Sequence, residues 1–265
     1  MITVLGASGF IGSHLVKRLQ QQNAEFQAIG RDGKIPLSSL GDVIYCIGVT
    51  ADFRSRPFET VDAHVCTLLG LVRACRFDSL LYLSSTRLYA KGDSTKEEQP
   101  LCASPQHLSD LYNISKLMGE SIALHCGSKG RVARIANVYG PDLLSDNFLP
   151  SVLRQAVKRE TVVLQGAPDS EKDYVGVDVV VDGLLQIATA GEQQIYNLGS
   201  GVNVTHRQLA EKLQLLTGCQ IEFAPDAPTI KYPEIDIQKM KSEFDYAPSS
   251  VLDDLPQLIE LYEGK

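Results

Sequence analysis

The chain opens with Met1-Ile2-Thr3-Val4-Leu5-Gly6-Ala7-Ser8-Gly9-Phe10-Ile11-Gly12-Ser13-His14-Leu15-Val16, and this stretch decides the fold. The residues from Ile2 to Leu5 are apolar or β-favouring, which predicts a buried strand. Apolar residues recur at helical spacing from Ile11 to Leu19, and glycines at positions 6, 9 and 12 separate the two patterns. The stretch therefore predicts a strand, a tight glycine turn and a helix that begins near Phe10.

A glycine turn between a strand and a helix is suited to binding phosphate. Glycine lets the backbone approach a pyrophosphate, and the N–H groups and positive dipole end of the helix face the anion. The spacing here is G-x-x-G-x-x-G, which differs from the general G-x-G-x-x-G fingerprint, and a glycine-rich turn without a ligand is the alternative interpretation. The position of the turn favours dinucleotide binding. The residues predicted to contact the dinucleotide here are Gly6, Ser8, Gly9, Phe10, Ile11 and Gly12.

The composition is that of an ordinary globular protein. The 265 residues, 44% hydrophobic and 22% charged, suffice for one large domain or two unequal ones. The formal charge of −7 gives no electrostatic reason to bind nucleic acid or an anionic membrane, and no apolar run approaches the length of a membrane span. Because the first residues enter a strand at once, we expect no signal peptide and a cytoplasmic protein.

The cysteines and histidines give no sign of disulfide or metal chemistry. The six cysteines include no C-x-x-C pair, which favours reduced thiols. The five histidines are scattered without metal-ligand spacing, so we expect no metal site.

The end of the second predicted strand, Ala24 to Ile29, bears on the choice of cofactor. In a dinucleotide fold, an acid there binds the ribose 2′-hydroxyl, whereas an arginine accommodates a 2′-phosphate. Gly30 stands where the acid would be and Arg31 follows, so we expect NADP with Arg31 as a ligand of its phosphate. The alternative is that Asp32 is the ribose acid and that the cofactor is NAD.

The next strand, Val43 to Ile47, follows Asp32 after only ten residues. This interval is too short for the additional helix and strand of a usual doubly wound half, so we expect a sheet trimmed on that side. Ligands approach open α/β sheets at the carboxyl ends of the strands. Cys46, Ile47 and Gly48 are therefore predicted to contact the dinucleotide.

Alternating strand and helix patterns continue along the chain. The predicted elements are a helix over Thr60–Phe77, a strand over Leu80–Leu83, a loop over Lys91–Leu101, a helix from Ser104-Pro105 to about Cys126, a strand over Arg131–Ala136, a turn over Asn137–Pro141, a helix over Phe148–Arg159, a strand over Thr161–Leu164, a strand-to-helix piece within Val175–Ala188, a strand over Ile195–Leu198, a helix over Thr205–Leu216, short strands and a brief helix within Gly218–Pro248 and a last helix from about Leu252 to Tyr262. The pattern predicts an α/β fold with a doubly wound, mostly parallel Rossmann sheet and a smaller C-terminal α/β part.

One constellation carries chemistry. Ser84 and Ser85 follow a central strand, and Tyr112 and Lys116 share one face of the next helix. A tyrosine hydroxyl can give a proton to a carbonyl oxygen as hydride reaches the carbon, and a nearby ammonium would lower its pKa. A serine hydroxyl can hold the carbonyl oxygen. A chance Tyr–Lys pair or a serine that caps a strand end is common alone, but their order after the glycine turn indicates hydride transfer.

At this point the sequence resembles the extended short-chain dehydrogenases/reductases, in particular the nucleotide-sugar epimerase/dehydratase group. The motifs that carry the resemblance are the Gly6/Gly9/Gly12 turn, Leu83-Ser84-Ser85 through Leu88-Tyr89, Tyr112 to Lys116, Arg134 to Pro141, Asn147-Phe148-Leu149-Pro150, Lys172-Asp173-Tyr174-Val175 with Asp178, and Tyr196-Asn197-Leu198-Gly199. The resemblance implies a dinucleotide-binding domain over 1–140, with a strand–helix return near 172–190, and a nucleotide-sugar-binding region over 141–265.

The resemblance also implies roles for individual residues. Ser85, Tyr112 and Lys116 would be catalytic, and Tyr112 and Lys116 would also contact the cofactor. Residues implied to contact the nucleoside-diphosphate sugar are Ser85, Thr86, Arg87, Asn137, Asn147, Phe148 and Lys172. Lys172 stands where many members carry an arginine for the diphosphate. Family members often dimerise through the helix that carries Tyr112 and its neighbour, and the residues leave the oligomeric state open.

Departures from the family pattern narrow the chemistry. The 4,6-dehydratases follow the catalytic hydroxyl with Asp-Glu, where this chain has Thr86-Arg87, and members that epimerise beside a ketone carry a cysteine in place of Arg87. Arginine stays charged and cannot serve as that base. An NADP-dependent reductase of a 4-keto-deoxy sugar or an NAD(P)-dependent 4-epimerase remains, and NADP favours the reductase. A non-enzymatic dinucleotide sensor is a third hypothesis, which the Tyr112/Lys116 pair disfavours.

Overall fold

The computed structural model describes residues 1–31, 33–36, 39–50, 52–143 and 145–264. The described strands are β1 (Ile2–Leu5), β2 (Phe26–Ile29), β3 (Asp42–Tyr45), β4 (Ser79–Ser85), β5 (Gly130–Ile135), β6 (Asn137–Tyr139), β7 (Thr161–Leu164), β8 (Glu171–Gly176), β9 (Ile195–Leu198), β10 (Asn203–Thr205) and β11 (Gln220–Phe223). The described α-helices are α1 (Phe10–Gln21), α2 (Pro57–Val61), α3 (Thr67–Ala74), α4 (Asp110–Leu124), α5 (Phe148–Val157), α6 (Val177–Ala190), α7 (His206–Thr217), α8 (Gln238–Glu243) and α9 (Val251–Glu263).

A parallel sheet forms the centre of the molecule. In the described part of the chain it has six strands in the order β2-β1-β3-β4-β5-β9, and each neighbouring pair is parallel. The sheet ends at β2, and β2 is followed in sequence by β3. This agrees with the predicted Rossmann sheet that is trimmed on one side.

The strands are apolar on both faces because helices cover both faces. Val4 and Ile44 pack in one buried cluster with residues of α1 and α6. Leu5 and Val43 face the opposite cluster, which includes residues of α3 and α4. The central sheet therefore has a buried apolar cluster on each face.

The predicted helix over Thr60–Phe77 is present with different bounds. It begins earlier, at Pro57, and α3 ends at Ala74 because Cys75 adopts an extended conformation. A π-helical turn, Asp62–Cys66, joins α2 to α3. Such turns are rare and are often found at functional sites.

The prediction that the Tyr112 helix starts at Ser104-Pro105 is wrong. Helix α4 begins at Asp110, and the preceding residues form turns. The Asp110 carboxylate accepts a hydrogen bond from the Ser104 N–H at 2.9 Å and pairs with Lys91 at 2.5 Å. These contacts draw the preceding segment back toward the helix N-terminus, so a local start signal is overridden.

The smaller second part covers the carboxyl ends of the central strands. The segment Asn137–Tyr139, predicted as a turn, is strand β6, which pairs parallel to β8, while β10 pairs antiparallel to β8. Strands β7 and β11 pair in parallel, and helices α5, α7 and α9 enclose a separate buried cluster with them. Within the described residues, none of the helices is both long and apolar enough to cross a membrane.

Candidate active site

A cleft of about 460 Å³ opens where the carboxyl ends of β3 and β4 meet the second part of the molecule. The predicted site residues that line it are Gly9, Phe10, Ile11, Gly12, Cys46, Ile47, Gly48, Ser85, Thr86, Arg87, Tyr112, Lys116, Asn137, Asn147, Phe148 and Lys172. Gly6, Ser8 and Arg31 are not among the lining residues. The structure therefore brings the glycine turn and the Ser–Tyr–Lys constellation to one cavity.

The glycine turn has the shape that an anion needs. Gly6 has a φ of +81°, and a Cβ on it would lie 2.9 Å from the Cys46 carbonyl carbon, while a Cβ on Gly12 would overlap the Gly6 carbonyl oxygen. Gly9 is the N-cap of α1 and caps it with no side chain, and the first turn of α1 contains no acid. The N–H groups of that turn lack intrahelical partners, so the residues fit the pyrophosphate of a dinucleotide.

Arg31 lies beside this turn. Its backbone N–H donates to Ser8 Oγ at 3.3 Å, and its side chain is exposed. A Cβ on Gly30 would lie 3.5 Å from Ser8 Oγ, so Gly30 packs close to the turn without blocking it. Asp32, the competing candidate for the ribose, lies outside the described residues.

Tyr112 is held in the first turn of α4 by two aromatic contacts. Its ring centroid lies 4.7 Å from that of Phe53 and 5.3 Å from that of His64, and its exposed fraction is 6%. Ser85 ends β4, and its Oγ accepts a hydrogen bond from the Arg87 N–H at 3.2 Å. The hydroxyl of Ser85 therefore faces the turn that brings Arg87 into the cleft.

The expected lowering of the Tyr112 pKa by Lys116 does not occur. Burial raises the pKa of Tyr112 above its ordinary value, and the groups that oppose this rise are the Ser85 hydroxyl and the Arg87 guanidinium. The ammonium of Lys116 is directed elsewhere, since Nζ donates to the Leu83 carbonyl oxygen at 2.8 Å. The raised pKa favours the protonated phenol at neutral pH, which is the form that an acid requires.

Lys116 is itself strongly affected by burial. Only 4% of it is exposed, and desolvation lowers its pKa to about 7, with Glu120 and Cys46 acting in the opposite direction. Its Nζ also lies 5.0 Å from the centroid of the Tyr82 ring. The charge of this lysine therefore changes near neutral pH.

A buried polar network behind the constellation was missed by sequence reasoning. Glu120 accepts hydrogen bonds from Ser84 at 2.5 Å and from Arg134 at 2.7 Å, and Arg134 also donates to the Tyr89 hydroxyl at 2.7 Å. Two signals were available in the sequence. Glu120 follows Lys116 by one helical turn, and Arg134 is a charge inside an apolar strand.

Lys172 on β8 and Arg87 in the turn after β4 place cations in the cleft. The Nζ of Lys172 lies 4.6 Å from the ring centroid of Phe148 and 5.6 Å from that of Tyr174, and burial lowers its pKa to about 8. Arg87 donates to the Tyr232 hydroxyl at 3.3 Å, while its Nε is buried and has no partner among the described residues. These cations suit an anionic or oxygen-rich ligand.

The remaining predicted contacts have structural partners as well. Asn137 donates through Nδ2 to the Asp173 carbonyl oxygen at 2.8 Å, and Thr86 donates to the Ile135 carbonyl oxygen at 3.5 Å. Asn147 lies at the N-terminus of α5 and is exposed. Tyr232 lies in an irregular segment that gave no sequence signal.

Among the described residues that line the cleft, Asp173 is the one carboxylate. Its oxygens accept hydrogen bonds from the N–H groups of Ser200 and Gly201, each at 2.7 Å. Burial raises its pKa to about 6. Throughout the described part of the chain, His, Cys, Asp and Glu side chains form no group of three or more that could hold a metal ion.

Comparisons with known proteins agree with this architecture. A model of the "NAD dependent epimerase/dehydratase family" matches residues 2–199. UDP-glucuronic acid decarboxylase 4 of Arabidopsis thaliana is 24% identical over 292 residues, which are 95% of this chain and 66% of that protein, so the chain spans about two thirds of its length. The dTDP-4-dehydro-6-deoxy-D-allose reductase of a Streptomyces species is 24% identical over 312 residues, covering 98% of this chain and 95% of the relative.

The fold is also that of solved structures. The structure of RMD from Pseudomonas aeruginosa complexed with NADPH superposes with a TM-score of 0.82. The two chains are 22% identical, and the match covers 99% of this chain and 98% of that one.

Proposed function

This chain belongs to the NAD-dependent epimerase/dehydratase family, and from that premise we propose that it uses NADPH to reduce the keto group of a nucleoside-diphosphate 4-keto-6-deoxy sugar. The observation that carries the proposal is the meeting of Ser85, Tyr112 and Lys116 with the glycine turn in one cleft. In this proposal residues 1–140 bind the dinucleotide and residues 141–265 bind the sugar nucleotide. The reductase relative and the NADPH-bound neighbour support the same assignment.

The roles of the three catalytic candidates follow from their surroundings. When bound, a reduced nicotinamide would supply the hydride that reduces the keto carbon. Tyr112, which burial keeps protonated, gives its proton to the keto oxygen, and the Ser85 hydroxyl donates a hydrogen bond to that oxygen. Lys116, held at the Leu83 carbonyl oxygen, would bind the nicotinamide ribose, while the Ser85 hydroxyl and the Arg87 guanidinium are the groups that favour the phenolate that remains.

The cations opposite the glycine turn would hold the sugar nucleotide. Lys172 would bind the diphosphate, and its position over two aromatic rings limits its freedom to move. Asn137 and the Asn147-Phe148 pair would contact the nucleotide, while Thr86 and Arg87 would contact the sugar. Because Lys172 is a point charge, it gives less geometric specificity than an arginine would.

The cleft favours simple ketone reduction over chemistry that needs a second proton acceptor. Arg87 stands next to the reacting groups and stays charged. Asp173 is occupied by two backbone N–H groups, so it is poorly placed to take a proton from the sugar. Gly30 and Arg31 beside Ser8 favour NADPH as the reductant.

The experiment that tests this proposal is the oxidation of NADPH by purified protein in the presence of 4-keto-6-deoxy sugar nucleotides with different bases. We expect one of them to cause a stoichiometric loss of NADPH absorbance with formation of the alcohol. Turnover of a nucleotide hexose without net change in the cofactor would instead identify a 4-epimerase.

A further inference from the structure

His64 is a fully buried histidine that the proposed chemistry does not use. Its exposed fraction is 0%, and it sits in the π-helical turn between α2 and α3. It is not among the residues that line the cleft. Its side chain nevertheless reaches both sides of the site, because it contacts α4 and the segment 48–50 that follows β3.

The hydrogen bonds of His64 determine which ring nitrogen carries the proton. Ser115 Oγ donates to the Tyr112 carbonyl oxygen at 2.8 Å, so its single proton is used. Ser115 Oγ therefore accepts from His64 Nδ1 at 2.9 Å. At the other end of the ring, the Val49 N–H can only donate, and it meets Nε2 at 3.4 Å. The contacts of both ring nitrogens therefore place the proton on Nδ1 and leave Nε2 as the acceptor.

The surroundings keep this ring uncharged and closely packed. Burial and the charge of Lys116 lower the pKa of His64 to about 2. A Cβ on Gly48 would lie 3.2 Å from Nε2, so the loop backbone packs against the ring. The ring also meets the Tyr112 ring edge to face, with an interplanar angle of 81°.

We propose that His64 is a positioning residue: with its proton on Nδ1, it ties residues 48–50 to the helix that carries Tyr112 and Lys116. Gly48 and Thr50 line the cleft on the side of the glycine turn. The tie therefore fixes the distance between the wall against which the nicotinamide would lie and the phenol that gives the proton. This role rests on the proposed function for its effect on rate, whereas the tautomer does not depend on any activity.

The first test reads the tautomer directly. Nitrogen NMR of the whole protein with isotopically labelled histidine should show a neutral ring with its proton on Nδ1 whose signal vanishes in His64→Phe, which distinguishes it from the second buried histidine, His206. A proton on Nε2 would contradict the proposed hydrogen bonds of His64 with Ser115 and Val49. In Ser115→Ala, the Nδ1–H loses its acceptor, so the Nδ1 resonance should shift while the other histidine signals stay unchanged.

The second test separates positioning from binding. We expect His64→Phe, which keeps an aromatic ring against Tyr112 but makes neither hydrogen bond, to lower kcat by about 10- to 100-fold. KM for the sugar nucleotide should change less than about 2-fold, because His64 does not line the cleft. His64→Asn can still donate to Ser115 and should recover part of the loss. His125→Phe, the same change at an exposed histidine of the same chain, should leave kcat unaltered.

Two outcomes judge the inference separately from the proposed function. Wild-type kcat in both His64→Phe and Ser115→Ala would overturn it. Should His64→Phe fail to fold, Ser115→Ala removes one end of the tie without a change of ring and should lower kcat by about 10-fold. A wild-type protein that oxidises no NADPH would contradict the proposed function, while the nitrogen spectrum would still decide the tautomer.

Discussion

The cleft has two walls that differ in the structural elements that form them. The glycine-turn wall consists of Gly9 to Gly12, Cys46 to Gly48, Ser85 and Tyr112, which are strand ends, turns and the starts of two helices. The Lys172 wall consists of Asn137, Phe148, Lys172 and Tyr232, which are side chains from separate elements. The first wall is positioned by the central parallel sheet and its backbone hydrogen bonds. In the second wall, Asn137 and Lys172 lie on β6 and β8 of a small separate sheet, while Phe148 and Tyr232 lie outside the strands.

This difference indicates a division of labour. Chemistry needs positions that hold to a fraction of an ångström, and backbone at the end of a parallel sheet supplies them. Recognition of a substrate needs side chains that differ among relatives on the same fold. We therefore expect the glycine-turn wall to determine the reaction rate and the Lys172 wall to determine the affinity for the sugar nucleotide.

The largest effect is expected from Tyr112→Phe. This change removes the proposed proton donor but keeps the ring between Phe53 and His64, so kcat should fall by about 1,000-fold with little change in KM. Steady-state kinetics with the best keto-sugar nucleotide measure it. A loss of less than about 10-fold would mean that another group gives the proton.

The counterpart on the other wall is Lys172→Ala. Loss of the ammonium should raise KM for the sugar nucleotide by about 30-fold, because a charge-assisted contact to the diphosphate disappears. The affinity for NADPH, measured by fluorescence titration, should stay the same. If Lys172→Ala weakened the binding of NADPH and of the sugar nucleotide equally, the two walls would not differ in function.

The same division explains what the sequence could predict. Short-range spacing along the chain is sufficient to predict the strand, glycine turn and helix at the N-terminus. The same is true of the Tyr112/Lys116 pair. The glycine-turn wall could therefore be outlined from the sequence almost completely. His64 gave no sequence signal because its partners, Val49 after β3 and Ser115 on α4, are distant in sequence and meet it only through tertiary packing.

Contacts over long sequence distances caused the errors. The start of α4 was misplaced because the hydrogen bonds of Asp110 with Ser104 and Lys91 override a local cap signal. The sequence predicts a turn where strand β6 lies, because the pairing partner of this strand, β8, lies much later in the chain. The pKa of Tyr112 was expected to fall because spacing gives proximity to Lys116, but burial and the direction of Nζ are tertiary properties.

Replacing Lys116 tests the first wall through the effect on the free energy of unfolding. The pKa of Lys116 is about 7 in the fold and about 10.5 in the unfolded chain, so the unfolded chain binds more protons between those values. The cost of burying the charge is therefore fully present below pH 7 and is relieved as the pH rises toward 10.5. Lys116→Met removes this cost.

We expect Lys116→Met to raise the free energy of unfolding at pH 6 by about 2 kcal/mol, after allowance for the lost bond to Leu83. Urea unfolding at pH 6 and pH 9 measures the difference, which should narrow at the higher pH. A difference that does not depend on pH would show that Lys116 is not buried as a charge.

The smallest effect is expected at the exposed rim of the glycine-turn wall. Arg31→Ala should weaken the binding of NADPH by about 10-fold and leave the binding of NADH unaffected, because only NADPH carries the 2′-phosphate. Competitive binding of the two cofactors measures the ratio. Equal losses for NADPH and NADH would contradict the assignment of Arg31.

The most direct test of the division is a crystal structure of the protein with NADPH and an unreactive sugar nucleotide. We expect the pyrophosphate at the first turn of α1, the nicotinamide against Gly48, and the sugar oxygen between Tyr112 Oη and Ser85 Oγ, with the diphosphate at Lys172. A dinucleotide bound away from the glycine turn, or a sugar that does not meet Tyr112, would contradict the account.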